Sequence, residues 1–240
     1  MRRLPLAALL CALTIGGCAP SRAAGPAGEI VARVQYWRDA TSVAYFMESA
    51  RLAGVRTVHL IAKQDEDDTI PSGTAFYRSA IAPTWTAAAD WDPLRAAVDE
   101  AHKRGIRLYA WLPQFHDQAA VKAHPTWEMQ VAIHGAAVPY SSTSSSWFAN
   151  PIDPAVRAYE LSIVEEVVAN YDVDGIDLDW VRYDNANMDV GPVSRAAAKA
   201  AIGLDPLALD FAAGPDDPQV ARWQAWRSQI VADHVASVRA

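Results

Sequence analysis

Two aspartates, Asp177 and Asp179, lie two positions apart in the stretch 171–184, which reads YDVDGIDLDWVRYD. Apolar and acidic positions alternate there, as is typical of a β-strand with an apolar back and carboxylates in front. The apolar set is Ile176, Leu178 and Trp180, and the other set is Asp177, Asp179 and Val181. A buried carboxylate is costly unless it is paired or hydrogen-bonded. The pattern favours the catalytic end of a (β/α) barrel strand; the alternative is an aspartate network that holds loops in place.

This pair of acids indicates one kind of chemistry in particular. Glycoside hydrolysis usually needs one carboxyl group that is protonated as a general acid and one that is ionised as nucleophile or base. On a strand, Asp177 and Asp179 point the same way and stand about 6.5–7 Å apart. Like acids at that spacing raise the pKa of one of them. We expect Asp179, nearer the strand end, to be one catalytic group, with Asp177 tuning it and a partner acid on a later strand; the alternative is that Asp177 and Asp179 serve alone as the catalytic pair.

Five further side chains are candidates for contact with a sugar substrate: Lys63, Tyr77, Trp111, His116 and Arg182. Trp111 alternates with Tyr109 along one strand, so packing in the core is its alternative role. For Arg182 the alternative is a salt bridge at the barrel rim. The loop residues His116, Asp117, His124 and His134 match no metal-ligand spacing. We therefore expect no metal site and no cofactor.

Strand and helix signals alternate four times, which predicts a parallel sheet. The predicted strands are 29–37, 57–62, 107–112 and the acidic strand, and three of the four helices open with Asp-Pro, at 92–93, 153–154 and 217–218. A closed barrel needs eight such units and about 250 residues. We predict that residues 29–240 form the N-terminal half of an α/β domain of the TIM-barrel type; a small open sheet is the alternative.

The bulk composition narrows the classes of partner. The 240 residues are 51% hydrophobic and carry a formal net charge of −7. This length suits one large core. The acidic balance argues against nucleic acid or an anionic membrane surface as the main partner.

The first twenty residues, MRRLPLAALLCALTIGGCAP, have the pattern of an export signal. The apolar run is too short for a comfortable membrane span, and it ends in Ile-Gly-Gly-Cys, which resembles a bacterial lipobox. We predict a signal peptide over residues 1–17, lipidation of Cys18 and a flexible tether over 18–28. The protein would then be a membrane-anchored lipoprotein of the cell envelope. The alternative is an ordinary secretory signal that is cut near Ala23-Ala24.

A collinear set of short motifs resembles the glycosyl-hydrolase-like 10 family of bacterial exported proteins. The motifs are GTAFYRS (73–79), DPL (92–94), EAHKRG (100–105), AWL (110–112), NP (150–151), VR (156–157), YDVDGI (171–176), LD (178–179), RY (182–183), Trp223 and WR (226–227). The resemblance implies a TIM-barrel glycosidase, with the second half of the barrel beyond these units. It also implies cell-envelope polysaccharide as the substrate class, the glycan strands of peptidoglycan being one case.

Two positions depart from that family. Asp177 stands where the family usually has His, and Asp184 where it usually has Pro. The spacing of the acids also resembles the signature of family 18 chitinases, but Val181 stands at the position of their catalytic Glu. Family 18 chemistry is therefore not expected.

We expect a glycoside hydrolase that uses carboxylate acid/base chemistry on a polysaccharide. One alternative is a non-catalytic carbohydrate-binding lipoprotein or an inactive barrel fragment. The other is a metal-dependent deacetylase or hydrolase that uses Asp and His. The sequence leaves the sugar, its linkage and the oligomeric state open.

Overall fold

The computed structural model describes residues 29–35, 37, 39–66 and 68–239. The signal peptide, the lipidated Cys18 and the tether lie outside these residues and stay predictions. Within the part that is described, no helix is both long enough and apolar enough to cross a membrane.

Four parallel strands form the main sheet, and a hairpin lies beside it. The strands are β1 (Val31–Val34), β2 (Thr57–Ile61), β3 (Arg107–Pro113), β4 (Gln130–Ile133), β5 (Ala136–Pro139) and β6 (Gly175–Asp179). The main sheet has the order β1-β2-β3-β6, and β4 pairs with β5 in the antiparallel hairpin. The predicted parallel α/β sheet is confirmed. The predicted first strand is shorter than expected, and the long segment after β3 contains the hairpin.

Helices follow each strand of the main sheet, and side chains at their first turns fix where they begin. They are α1 (Ala40–Leu52), α2 (Thr86–Trp91), α3 (Pro93–His102), α4 (Gln118–Ala123), α5 (Pro154–Asn170), α6 (Pro192–Ile202) and α7 (Pro218–Ser237). Asp92, Asp153 and Asp217 each accept a hydrogen bond from a backbone N–H of the helix that follows. The three Asp-Pro pairs therefore start helices as predicted, since the carboxylate satisfies a free N–H and proline needs none.

The two faces of the main sheet differ in chemistry because side chains alternate along a strand. Toward the helices lie apolar side chains that join one core with α1, α3 and α5, among them Val58, Leu60, Leu108 and Leu112. Burying each leucine contributes about 1.5–3 kcal/mol, so this face holds the helix layer in place. The opposite face carries the polar positions of the same strands.

The acidic strand ends earlier than its alternation predicts. β6 stops at Asp179, and Trp180 takes a φ of 52°. The expectation that Trp180 and Val181 continue the strand is therefore wrong. Both side chains instead pack near Phe115 and Phe148 in a second apolar cluster. A left-handed residue that is not glycine costs about 1–2 kcal/mol, and the aromatic contacts of Trp180 hold it there.

A fully buried ion cluster lies where β2 ends. The ammonium group of Lys63 is 2.9 Å from Oδ2 of Asp117 and 2.5 Å from Oε2 of Glu160, and it donates to the carbonyl of Gln114 at 3.3 Å. Burial acts to lower the pKa of Lys63, but the two acids outweigh it, so the pKa is raised. Burial raises the pKa of Glu160 to about 8 against the charge of Lys63. The two acids thus favour the charged form of Lys63, while burial favours the protonated form of Glu160.

Gly73 is required by this cluster. Its φ is +86°, and an added Cβ would lie 1.9 Å from Oδ1 of Asp117. We expect Gly73→Ala to lower the free energy of unfolding by about 3–5 kcal/mol, because it displaces one partner of a buried ion pair. Urea denaturation would measure the loss.

Gly105→Ala is the matched control for this substitution. Gly105 also has a positive φ, of +67°, but nothing lies within 4 Å of an added Cβ. Only the cost of a left-handed alanine is expected there, about 1–2 kcal/mol. Equal losses for the two variants would contradict the role given to Gly73.

Candidate functional site

The candidate site lies at the carboxyl ends of the parallel strands, on the face that the helices leave uncovered. In the register of the sheet, Trp111 on β3 lies beside Asp177 on β6, and Pro113 lies beside Asp179. Asp179 is therefore at the rim, and Asp177 lies one inward-facing position deeper. Both predicted acids occur on one face of one strand, as expected. Arg33 on β1 and His59 on β2 reach them from the other strands.

An aromatic stack forms the floor of the site. A Cβ on Gly175 would lie 2.7 Å from Cε2 of Tyr109, so the glycine makes room for that ring. His59 stacks on the other side of Tyr109, with 5.0 Å between ring centroids and 10° between planes. The stack places Nδ1 of His59 2.7 Å from Oδ2 of Asp177. Asp177, the deeper acid, is thus paired with His59, and stacking on Tyr109 holds the His59 ring in place.

Asp179 is surrounded by hydrogen-bond donors. The indole Nε1 of Trp111 donates to Oδ2 at 2.9 Å, and the backbone N–H of Trp180 donates to Oδ1 at 2.8 Å. Donors on both oxygens suit an ionised carboxylate that is held in one orientation.

Arg33 connects the two acids. Its Nη2 lies 3.1 Å from Oδ2 of Asp177 and 3.4 Å from Oδ2 of Asp179, and its guanidinium lies over Trp111, 3.7 Å from the ring centroid. Half of the Arg33 side chain is exposed. Solvent therefore screens these ion pairs, and they contribute little to stability. The effect of these ion pairs is confined to the site, where the positive charge of Arg33 offsets the negative charges of Asp177 and Asp179.

Sequence reasoning missed Arg33 and His59, although a signal was present. Each is the one charged or titratable residue in a short strand of otherwise apolar or small side chains, VARV and TVHLI. Because alternate positions face opposite sides, both side chains had to point toward the face that carries the acids. Asp177 and Asp179 follow the same alternation on β6.

The other predicted contacts are dispersed. His116 follows β3 at the rim, is 4% exposed and packs between Phe148 and Trp180, with centroids 4.9 and 4.7 Å away. Arg182 is exposed, lies over Trp180 and pairs with Asp184 at 3.2 Å, as the rim salt bridge alternative proposed. It also lines a cleft of about 360 Å³ between the segment after β6 and α7.

Lys63 and Tyr77 are corrections to the predicted contacts. Both side chains are 0% exposed, so neither has a surface on which a sugar could lie. Lys63 belongs to the buried ion cluster, and Tyr77 donates its hydroxyl to Oε2 of Glu166 at 2.9 Å. Burial raises the pKa of the Tyr77 hydroxyl. Their partners lie far along the chain, which is why local sequence did not reveal their burial.

The loop histidines do not come together around Asp117. His124 stacks on Trp127 with centroids 4.0 Å apart, and Asp117 pairs with Lys63 while it caps α4. Among the described residues, no three His, Cys, Asp or Glu side chains form a group that could hold a metal ion.

Comparison with known proteins gives both relatives and a fold. The S-layer-related protein of Niallia circulans is 25% identical over 239 residues, which cover 87% of this chain and 15% of that protein. Glycosyl hydrolase DigH of Escherichia coli K12 is 29% identical over 142 residues, which cover 52% of this chain and 30% of that protein. The chain thus spans less than a third of the length of either relative.

A solved structure matches the same arrangement of elements. The glycoside hydrolase domain of PgaB from Bordetella bronchiseptica has a TM-score of 0.66 and 19% identity, over 88% of this chain and 60% of that chain. At this identity the likeness shows the fold, a TIM-barrel type of which the described residues form four parallel strands without closing the barrel.

The family model described as Glycosyl hydrolase-like 10 matches residues 61–240, which is more than half of the chain. This range contains β3 and β6, and with them Asp177, Asp179 and Trp111. The chain belongs to the Glycosyl hydrolase-like 10 family.

Proposed function

We propose that the protein is a glycoside hydrolase that cleaves a polysaccharide of the bacterial cell envelope, with Asp179 as a catalytic carboxylate. The observation that carries the proposal is the position of Asp179 at the strand end, with donors from Trp111 and Trp180 on its two oxygens. Membership of the family supports the reaction class. A carboxylate that is held this way is ready to act on a sugar carbon or on a water molecule.

Asp177 has a different role in this proposal. It lies deeper, its oxygen Oδ2 is bound by His59 and Arg33, and Arg33 also reaches Asp179. It therefore acts as a positioning residue, because it helps to hold Arg33 beside Asp179. Trp111 likewise orients Asp179 through its indole N–H.

The substrate class rests on two further arguments. The family resemblance implies cell-envelope polysaccharide, and the export pattern of residues 1–17 with Cys18 would bring the protein to that compartment. The glycan strands of peptidoglycan are therefore the substrate to test first.

Carbohydrate binding without cleavage is the second candidate function. Partly exposed aromatic side chains lie in the second apolar cluster, to which the residue after Asp179 also belongs: Trp127, Tyr140, Trp147 and Trp180. Aromatic rings of this kind can stack on sugars. Binding of glycan by the wild-type protein without release of fragments would favour this candidate.

Asp179→Asn tests the leading proposal. We expect the rate of cleavage of purified peptidoglycan sacculi to fall about 10²–10⁴-fold, because the amide can neither attack nor accept a proton. Binding should persist, since the side chain keeps its shape. Soluble fragments released over time report cleavage, and sedimentation with sacculi reports binding.

Asp172→Asn is the matched control at the opposite end of the same segment. The Asp172 side chain is 91% exposed, and we expect cleavage within about twofold of the wild type, as for exposed positions in general. Full cleavage by Asp179→Asn would remove Asp179 from the mechanism.

Cys18→Ala tests the proposed anchor. If Cys18 is lipidated, the variant should lose incorporation of radiolabelled palmitate and move from the membrane fraction to the soluble fraction, because a thiol is needed for the thioether to lipid. Cys11→Ala is the control, since Cys11 is the other cysteine of the chain and lies within the predicted signal peptide. Unchanged labelling of Cys18→Ala would contradict the lipoprotein prediction.

A further inference from the structure

One of the two carboxyl oxygens of Asp65 is buried without a hydrogen bond in the part of the chain that the structure describes. Asp65 lies in the loop that follows β2, is 8% exposed, and its Oδ1 is the oxygen that is shielded from solvent. A buried polar atom without a partner costs about 1–3 kcal/mol. The chain therefore keeps this carboxyl group in place at a cost to its stability.

A neighbouring acid shows what a structural role looks like in the same loop. Oδ1 of Asp68 accepts hydrogen bonds from the backbone N–H of Ile70 at 2.8 Å and from the side chain of Gln64 at 3.3 Å. Such bonds hold a turn together. The corresponding oxygen of Asp65 makes no such bond, so holding the loop does not explain its burial.

The surroundings of Asp65 connect it to the candidate site. The charged and titratable groups that act on it are Glu66 in its own loop, Asp179 at the end of β6 and His116 after β3. Since β2, β3 and β6 are parallel neighbours, the segments that follow them share one rim. Asp65 and Asp179 thus stand at that rim from the two strands that flank β3.

The environment of Asp65 also favours its protonated form. Burial raises the pKa of Asp65 first of all, the charges of Glu66 and Asp179 raise it further, and its own backbone N–H and His116 oppose them. Asp179 differs from Asp65 in its hydrogen bonds, since both of its oxygens accept from donors. Such a difference between the surroundings of two carboxyl groups is typical of a catalytic pair in which one group is the acid and the other the base or nucleophile.

We propose that Asp65 is the partner of Asp179 and the general acid of the hydrolysis. This inference rests on the proposed function and adds the acid that was expected on a later strand. It assigns that acid to the loop after β2 instead.

The reaction balances with these two groups and water. The bond between the anomeric carbon and the leaving oxygen breaks, its electron pair goes to the oxygen, and that oxygen takes the proton of Asp65. Water supplies the hydroxyl group to the anomeric carbon by one of two routes. It attacks directly with Asp179 as base, or it displaces Asp179 after that carboxylate has formed a covalent bond to the anomeric carbon. In the direct route Asp179 takes the proton that water releases, and proton exchange with solvent restores both groups. In the covalent route Asp65 takes that proton itself.

Asp65→Asn tests the assignment through the leaving group. A general acid matters for a poor leaving group and matters little for one that departs without a proton. We expect the variant to lose about 10²–10⁴-fold in the cleavage of sacculi by the full chain. On the 2,4-dinitrophenyl glycoside of the disaccharide that the wild type releases from sacculi, it should stay within about tenfold. Asp179→Asn should lose activity on both substrates.

The pH dependence gives a second readout. A general acid must be protonated, so the rate of the wild type falls as pH rises through the pKa of Asp65, and Asp65→Asn should lose this alkaline limb. The contribution of Asp65 to the stability of the fold changes with pH in the same direction as the rate. A raised pKa in the folded state stabilises at low pH, and this contribution is lost as pH rises. Asp65→Asn should therefore melt no lower than the wild type at pH 7, whereas a structural aspartate would lower the melting temperature.

Asp172→Asn is again the control, because its side chain is 91% exposed and is not among the groups that act on Asp65, so it should leave cleavage within about twofold. An unchanged rate for Asp65→Asn, or equal losses on both substrates, would overturn the inference while the hydrolase proposal stands. Absence of glycan cleavage by the wild type would overturn the proposed function and the inference with it.

Discussion

The rim of the sheet depends on one buried ion pair, between Lys63 and Asp117. Lys63 lies two positions before Asp65, and Asp117 directly follows His116, so the pair fixes the loops after β2 and β3 relative to each other. Glu160 on α5 completes the contact from the helix layer. A buried pair of this kind adds little net stability, because removing two charges from water costs about as much as their attraction returns. Its effect is to select one arrangement, which Gly73 permits by leaving space beside Asp117.

The sheet separates two tasks by the alternation of its strands. One face is apolar and binds the helix layer, and the other carries two acids, one arginine and one histidine within reach of each other. Arg33 on β1 and His59 on β2 pair with the acids on β6, so both Asp177 and Asp179 have a cationic or titratable partner. The deeper acid, Asp177, is thereby tied to the floor of the site, while Asp179 at the rim keeps an environment of neutral donors and one shared cation.

Features that arise locally could be predicted from the sequence. The Asp-Pro helix starts, the alternation in β6 and the order of strands and helices depend on neighbours within a few residues, and the structure contains all of them. The burial of Lys63 could not be predicted this way, because Asp117 and Glu160 lie 54 and 97 positions later. The turn at Trp180 was missed for a similar reason, since aromatic rings from other segments hold it. Asp177, Asp179 and Trp111, which the sequence had singled out, lie on neighbouring strands of one sheet. Their contacts with Arg33 on β1 and His59 on β2 depend on how the strands pair.

The cation over Trp111 has a consequence for how a glycan would bind. One face of the indole is already occupied by Arg33, so a sugar ring that stacks there must replace a guanidinium that two carboxylates also attract. Binding then exchanges Arg33 for a sugar ring on the face of Trp111. The binding free energy therefore reflects the difference between these two stacking contacts. Because salt screens the attraction between an exposed arginine and carboxylates, rising ionic strength would release Arg33 and strengthen the binding of a neutral glycan. A site that holds its ligand by charge would respond in the opposite direction.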